Sequence, residues 1–418
     1  MLRFPEFAGE ADWQSHSLHD ISTRITEKVG TEKLMPVSIT AGVGFVSQAE
    51  KFGRDISGDQ YKNYIILREG EFAYNKGNSK KFAQGCVYKL KEFKKVAAPY
   101  AYISFRLKAG FDADFFQLYF EMNVHGRQLQ KYITSGARSD GLLNIDPDDF
   151  FRISLPTPSF PEQQRIADCL TSLDEVISTE SQKLDALKAH KKGLMQGLFP
   201  DHPAPTGHPS TGGEDLGSEF PSAGGVAEGR GGLVPRLRFP EFRDSGEWEE
   251  KPFQRVCHSI SSGKDKLDSN GKYNLYGSTG VIGKTESATY HGRYILIARV
   301  GANAGFLTLA DGKFGVTDNT LVISLQPSTD LDFVYYSLLQ FGLNKLIFGS
   351  GQPLITGGQL KELALCFPAS VEEQQRIAAC LTALDELIAA QAEKISALKA
   401  QKKGLMQGLF PVAKEVAI

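Results

Sequence analysis

Residues 162–200, beginning Glu-Gln-Gln-Arg-Ile-Ala, recur as residues 373–411 with 28 of 39 positions identical at a constant offset of 211. Whatever the first copy builds, the second must build again, so this repeat constrains the fold more than any other feature. A second echo, Leu-Arg-Phe-Pro-Glu-Phe, stands at 2–7 and at 237–242, with Trp13 and Trp248 in step at an offset of 235. The chain carries one plan twice: a short motif, a body whose sequence differs between copies, and a shared segment. Its 418 residues also exceed the usual domain about two- to threefold.

Both shared segments show apolar residues at alternating steps of four and three. The first seam is Ile166, Leu170, Leu173, Ile177, Leu184, Leu187, Leu194 and Leu198; the second is Ile377, Leu381, Leu384, Ile388, Ile395, Leu398, Leu405 and Leu409. This is a heptad pattern, interrupted at the same steps by Glu180 and Lys191 and by Gln391 and Lys402. The spacing predicts helices opening after Pro161 and Ser370. They close around Gly193-x-x-x-Gly197 and Gly404-x-x-x-Gly408, each followed by Pro. About 33 helical residues at 1.5 Å each give a rod of roughly 50 Å. Such a helix either lies along its own domain or packs on another; two near-identical seams in one chain favour packing on each other and on helices of a partner.

Between the copies, residues 201–232 hold nine Gly and four Pro, with five acidic residues against one Arg, the composition of a flexible tether. Leu233-Val-Pro-Arg236 precedes the second short motif and is read as native sequence. The first body, roughly 14–160, suggests strands at Tyr64–Leu67 and Tyr100–Phe105 and a helix from Asp114 to Tyr132. The second, roughly 249–370, suggests strands at Tyr294–Ala298 and Thr320–Ser324 and a helix from Leu331 to Leu346. Each reads as a compact α+β domain.

Composition removes several classes. With 41% hydrophobic and 23% charged residues the chain is globular rather than disordered. A net charge of −2, from 47 Lys+Arg and 49 Asp+Glu, leaves no bulk attraction to polyanions, so any such site must be a local patch. The five cysteines, Cys86, Cys169, Cys257, Cys366 and Cys380, are odd in number and form no Cys-x-x-Cys pair, which suggests neither a disulfide framework nor a zinc site and fits a reducing compartment. The start lacks an apolar run behind a basic one, and nowhere do 18 apolar residues follow one another, so the expected location is cytoplasmic.

Catalytic signatures are weak. Gly277 to Thr285 resembles a phosphate-binding loop, but the first required Gly falls on Ser278 and no helical pattern follows. None of the eight His residues pairs with Cys, Asp or Glu at metal spacing; His202 and His208 lie in the tether. We expect no reaction and no metal from this chain alone.

Local charge says more. Lys51 to Arg138 contains 16 Lys+Arg against 8 Asp+Glu, and Lys251 to Lys361 contains 11 against 7. Two basic bodies in a neutral chain suit phosphate neutralisation at two separate places, although a solvated basic face would look the same. Clusters of hydrogen-bonding tips beside Gly turns add base-edge chemistry to that charge, since Arg and Lys suit guanine, Asn and Gln suit adenine, and Ser or Thr suit several bases. The candidate DNA contacts are Tyr74, Asn75, Lys76, Lys80, Lys81, Arg138 and Ser139 in the first body. In the second they are Tyr276, Ser278, Thr279, Lys284, Arg299, Asn303, Asn319 and Gln352.

Taken together, the two Glu-Gln-Gln-Arg-Ile-Ala helices after Leu155-Pro-Thr-Pro158 and Phe367-Pro368, and the Lys-Lys-Gly-Leu-Met-Gln-Gly-Leu-Phe-Pro closing both repeats, resemble the specificity subunit of type I restriction-modification systems. So do Tyr276 to Gly283, Gly301-Ala-Asn-Ala-Gly305, Asp318-Asn319 and Gly349 to Pro353 in the second body, while Phe72-Ala-Tyr-Asn75 stands in place of those loops in the first. The resemblance covers essentially the whole chain. It implies an α+β fold of two target-recognition domains separated by two long antiparallel coiled-coil helices, a pseudo-two-fold internal repeat. The implied divisions are 1–160 and 237–370 for the target domains, 161–199 and 371–410 for the spacer helices, 200–236 for the linker and 411–418 for a tail.

It further implies a non-catalytic role in defence against foreign DNA. A bipartite double-stranded target would be read one half per body, with two docked methyltransferase subunits carrying S-adenosylmethionine and with restriction subunits that use ATP and Mg. The absence of an Asn-Pro-Pro-Tyr/Phe motif agrees with methylation chemistry residing in partners. The rods would then set the unread gap between the half-sites. The competing expectation is a coiled-coil scaffold whose basic lobes bind protein or RNA.

Overall fold

A computed structural model of the chain describes residues 1–77, 82–133, 143–200, 233–347 and 353–411. It divides into two compact units, Met1–Glu180 with Lys394–Ile418, and Ser181–Glu393. The expected tether (201–232) and, of the expected tail (411–418), all but Pro411 lie outside the described residues.

In the first unit, a four-stranded antiparallel sheet runs in the order Ser22–Arg24, Ile103–Leu107, Phe72–Asn75, Cys86–Lys89. The hairpin Val37–Thr40 with Gly44–Ser47, and the pair Ile65–Arg68 with Lys95–Ala98, lie beyond it. The sheet is covered on both faces. Phe72, Tyr74, Val87 and Phe105 point into one hydrophobic cluster, while Ala73 and Cys86 point into another with Val37, Leu67 and Val96. Successive strand residues face opposite sides, so a two-sided core buries Phe72, Ala73 and Tyr74 without a break.

The second unit repeats the device. Its sheet runs Cys257–Ser262, Thr320–Leu325, Tyr294–Ala298, Leu307–Ala310. Ile295, Ile297, Leu321 and Ile323 face one cluster, and Leu296 and Val322 face a second. A further four-stranded sheet holds Gly280–Thr285, Tyr273–Gly277, Lys313–Val316 and Tyr290–His291. The stretch that mimics a phosphate-binding loop is therefore a hairpin, Tyr273–Gly277 against Gly280–Thr285, with no helix for a phosphate to cap.

Two of the expected helices are shorter than their patterns. Asp114 to Tyr132 resolves into Ala113–Glu121 and Val124–Leu129 followed by a 3₁₀ turn, Gln130–Tyr132. The break is at Asn123, whose φ of 56° is left-handed, a conformation that Asn tolerates better than most residues. Gly126 leaves room for it, since a Cβ there would sit 2.3 Å from Asn123 Oδ1. Likewise Leu331 to Leu346 stops at Phe341, because Gly342 turns with φ 74° before a 3₁₀ turn, Leu343–Leu346. The strand suggested at Tyr100–Phe105 begins only at Ile103.

The long helices are Phe160–Leu198 and Val371–Leu409. In the first unit, Lys394 meets Glu180 at 2.6 Å and Lys402 meets Asp174 at 2.7 Å. As one number rises the other falls, so the helices run antiparallel. In the second unit, Lys191 meets both oxygens of Asp385 at 2.6 Å. Lys191 and Lys402, and Asp174 and Asp385, are equivalent positions of the repeat, so one ion pair is made twice. Three of the polar residues that interrupt the seam, Glu180, Lys191 and Lys402, are thus cross-helix partners.

The seam itself divides between two jobs. Ile166 and Leu170 are buried in the first body's core and Ile377 and Leu381 in the second's, so these four do not serve helix-on-helix packing alone. Leu173, Ile177, Leu184, Leu187, Leu384, Ile388 and Leu398 are half-buried, and Ile395 is buried.

Candidate nucleic-acid interface

Each body is locked to its helix by the same residues. Arg3 donates to both carboxylate oxygens of Glu162 at 2.9 and 2.8 Å, and Trp13 Nε1 lies 3.4 Å from Glu162 Oε1. Arg238 and Trp248 repeat this on Glu373 at 2.7, 2.8 and 3.3 Å. Arg165 pairs with Glu6 and lies over the Phe4 ring, as Arg376 pairs with Glu241 over Phe239. Backbone bonds tie the motif to the other helix, Leu2 N to Gly408 O at 2.6 Å and Leu237 N to Gly197 O at 2.8 Å. Both sequence echoes thereby acquire one cause. The Leu-Arg-Phe-Pro-Glu-Phe motif clips the start of one helix to the end of the other.

A third echo escapes the eye. Gln163 Oε1 accepts the Asp112 N–H at 2.9 Å, and Gln374 Oε1 accepts the Asp330 N–H at 3.0 Å. Asp112 and Asp330 in turn cap the helices that carry Phe115 and Phe333. The signal was present as Asp-x-Asp-Phe at 112–115 and 330–333, an offset of 218 inside bodies that otherwise differ.

In the second body, backbone bonds gather the segments that sequence singled out. Thr317 N donates to Tyr276 O at 2.9 Å, which joins the hairpin to the Asp318-Asn319 loop. Arg299 N donates to Asn319 O at 3.0 Å, and Gly301 N donates to Pro353 O at 3.0 Å. Gly301 and Gly305 adopt positive φ, and a Cβ at Gly305 would fall 2.8 Å from Asn344 Oδ1, so the turn needs glycine there. Around this meeting point Thr279, Lys284, Asn303 and Asn319 are exposed, and Tyr276, Ser278 and Arg299 are half-buried. Lys284 Nζ donates to Asn274 Oδ1 at 2.8 Å across the hairpin. Lys264, Lys266 and Lys272 are exposed on neighbouring turns. Gln352 lies outside the described residues.

The first body corrects one expectation. Tyr74 is fully buried, its ring 4.5 Å from Phe150 and its hydroxyl donating to Gln84 O at 2.6 Å; it is a core residue and cannot touch DNA. Asn75 turns its side chain back to accept the Gly77 N–H at 2.9 Å. Lys76 O accepts the Leu143 N–H at 3.0 Å, which joins the two stretches from which candidates were drawn. Lys80, Lys81, Arg138 and Ser139 lie outside the described residues. A cavity of about 400 Å³ lined by Gly42, Tyr88, Lys89 and Gln117 opens nearby, but Lys89 is ion-paired to Asp114.

Among the described residues, no group of three or more His, Cys, Asp or Glu is placed to hold a metal ion, and no helix is long and apolar enough to cross a membrane. Burial pushes the thiols of Cys86 and Cys366 up to about 11 and that of Cys257 to about 12, so none of the three is a thiolate at neutral pH.

A family model described as "Type I restriction modification DNA specificity domain" matches residues 53–189 and 246–400, one match in each copy of the plan. The EcoprrI specificity subunit of Escherichia coli is 34% identical over 115 residues, 28% of this chain and 28% of that relative, so the matched stretch spans little more than a quarter of its length. The putative MjaX specificity subunit of Methanocaldococcus jannaschii is 24% identical over 300 residues, 71% of this chain and 67% of that one. The crystal structure of a type I restriction-modification S subunit from M. genitalium superposes with a TM-score of 0.60 at 14% identity, covering 99% of this chain and 100% of that one, a likeness of fold. Because the family model accounts for more than half of the chain and for both of its halves, this protein belongs to the type I restriction-modification DNA specificity family.

Proposed function

We propose that the chain is the sequence-reading, non-catalytic subunit of a cytoplasmic type I restriction-modification assembly. Each body reads one half of a bipartite duplex target, and the paired helices set the unread gap. Two methyltransferase subunits bring S-adenosylmethionine, and restriction subunits bring ATP and Mg.

One observation carries this reading: the clip of arginine, indole and carboxylate is built twice, around bodies of different sequence. A frame held constant while the mounted loops change is what a reader of two unlike half-sites needs. The second body's loops offer hydroxyl, amide and guanidinium tips, the groups that distinguish bases in the major groove. Exposed lysines beside them supply the phosphate attraction that carries no sequence information. Partner docking has a doubled support as well. Val176 and Leu387, the same position of the repeat, are 43% and 55% exposed on their helices and would give two copies of one partner an apolar anchor at equivalent positions.

The test is methylation mapping by long-read sequencing in cells with and without this gene, the partner subunits being present in both. The expected result is a split adenine-methylation motif that requires the gene. Identical methylomes would remove the reading and favour a scaffold that binds protein or RNA.

A further inference from the structure

The hairpin Tyr273–Gly277 with Gly280–Thr285 carries an apolar patch that the hydrogen-bonding candidates leave out. Val281 and Ile282 are 52% and 45% exposed, and Leu267, in the stretch before the hairpin, is 66% exposed. Such residues scattered singly need no explanation, but these adjoin one another. A Cβ at Gly283, the residue after Ile282, would lie 2.4 Å from Leu267 Cδ1.

The patch is held in place by its own hairpin. A Cβ at Gly277 would lie 2.8 Å from Ile282 Cδ1, so the isoleucine tip takes the space that a side chain on the facing strand would fill. Leu275 stands opposite Gly283 and Tyr276 opposite Val281, which leaves Ile282 as the extra residue of a β-bulge. A bulge is a device for re-aiming side chains. Gly280–Thr285 is also the edge strand of its four-stranded sheet.

Charge decides what such a patch meets. Lys264, Lys266, Lys272 and Lys284 are exposed on the same stretch and strands. The acids between them are engaged by their own fold: Asp265 accepts the Val316 N–H at 2.8 Å and the Thr289 hydroxyl at 2.5 Å, and Asp268 accepts the Asn270 N–H at 2.9 Å. Glu286 is an exposed acid beside them, so the lysines still prevail. Aliphatic tips bordered by cations suit a polyanion that displays apolar groups. The major groove of duplex DNA admits a two-stranded ribbon, and the apolar group it presents is the C5-methyl of thymine.

We propose that Val281 and Ile282 read a thymine methyl in the half-site taken by the second body, with Leu267 and the bulge as the support that aims them. Ser278 and Thr279 on the same hairpin offer hydrogen bonds, whereas this pair offers none and separates thymine from cytosine by the methyl alone. The assignment rests on the function proposed above.

The test is methylation by the complete assembly, as wild type, Val281→Ala or Ile282→Ala, of synthetic duplexes carrying its own mapped motif. Each thymine is replaced in turn by uracil, which lacks only the methyl. For wild type at low duplex concentration, uracil at one position of one half-site should slow methylation roughly fourfold, the worth of one buried methyl. In each variant the thymine duplex should slow towards that rate, and the uracil penalty at that position should shrink. Wild type indifferent to every uracil would overturn the proposal. So would variants that keep the full uracil penalty, with or without a uniform loss of rate, the mark of a patch that wedges base steps or docks a subunit. Should one variant fail to co-purify with its partners, the other decides alone. A wild-type assembly that writes no split motif sinks the parent reading, whereas a split motif indifferent to uracil sinks this assignment only.

Discussion

Glu162 and Glu373 are each about 1% exposed, and an arginine fork and an indole N–H meet the carboxyl group of each. Removing one partner from such a pair strands the other, which makes these residues points where the fold is decided rather than decorated. His125 is the opposite case, a titratable group fully buried where a single backbone carbonyl favours its charge and burial outweighs it. Its Nε2 lies 3.4 Å from Gly85 O, and Nδ1 has no partner. Burial pulls its pKa down to about 4, against an ordinary value of about 6.5 in the unfolded chain. The unfolded state therefore binds the proton first. Stability from this group is intact above about pH 6.5, falls as the pH drops towards 4, and is level below that, a loss of roughly 3 kcal/mol. Thermal melting at pH 7 and pH 5 should show wild type losing more stability than His125→Gln; equal losses would mean that the histidine is not held neutral. Nothing in the sequence separated Tyr74 from Arg299. Both are polar-tipped residues near a strand end, and only the second face of the sheet, built from distant segments, decides which one is buried.

The heptad spacing and Gly-Pro stops placed the long helices to within one or two residues, because a repeated amphipathic period and a hard stop are local properties. The helices at Ala113–Glu121 and Leu331–Phe341 were overrun, since left-handed turns at Asn123 and Gly342 continue an apolar pattern that reads on as helix. The paired glycines of the closing motif were legible as stop signals but not as contacts. A Cβ at Gly197 would lie 2.4 Å from Leu237 Cδ1 and one at Gly408 would lie 2.5 Å from Leu2 Cδ1, whereas Gly193 and Gly404 meet nothing within 4 Å. Alanine favours a helix over glycine by about 1 kcal/mol. Gly193→Ala and Gly404→Ala should therefore raise the melting temperature. Gly197→Ala and Gly408→Ala should lower it, because the short motif must move off the helix. A gain at all four positions would show that the clip is not tight.

Across the whole chain, repetition made the architecture readable before any contact was known, and the local basic stretches pointed to a polyanion partner despite a net charge of −2. Base-by-base reading was not legible, because it depends on which loops meet. Thr317 with Tyr276 and Arg299 with Asn319 are joined by backbone bonds that leave no mark on side-chain composition. The central claim is that helix length sets the gap between half-sites. Seven residues inserted between Glu180 and Lys191 and seven between Asp385 and Lys394 keep the ion pairs Lys191–Asp385, Lys394–Glu180 and Lys402–Asp174 in register. They add about 10 Å of helix, close to three base pairs of a duplex that rises about 34 Å per turn. Methylation mapping of this double insertion should return both half-sites unchanged with a gap about three base pairs longer; the original gap, written at full efficiency, would contradict the account.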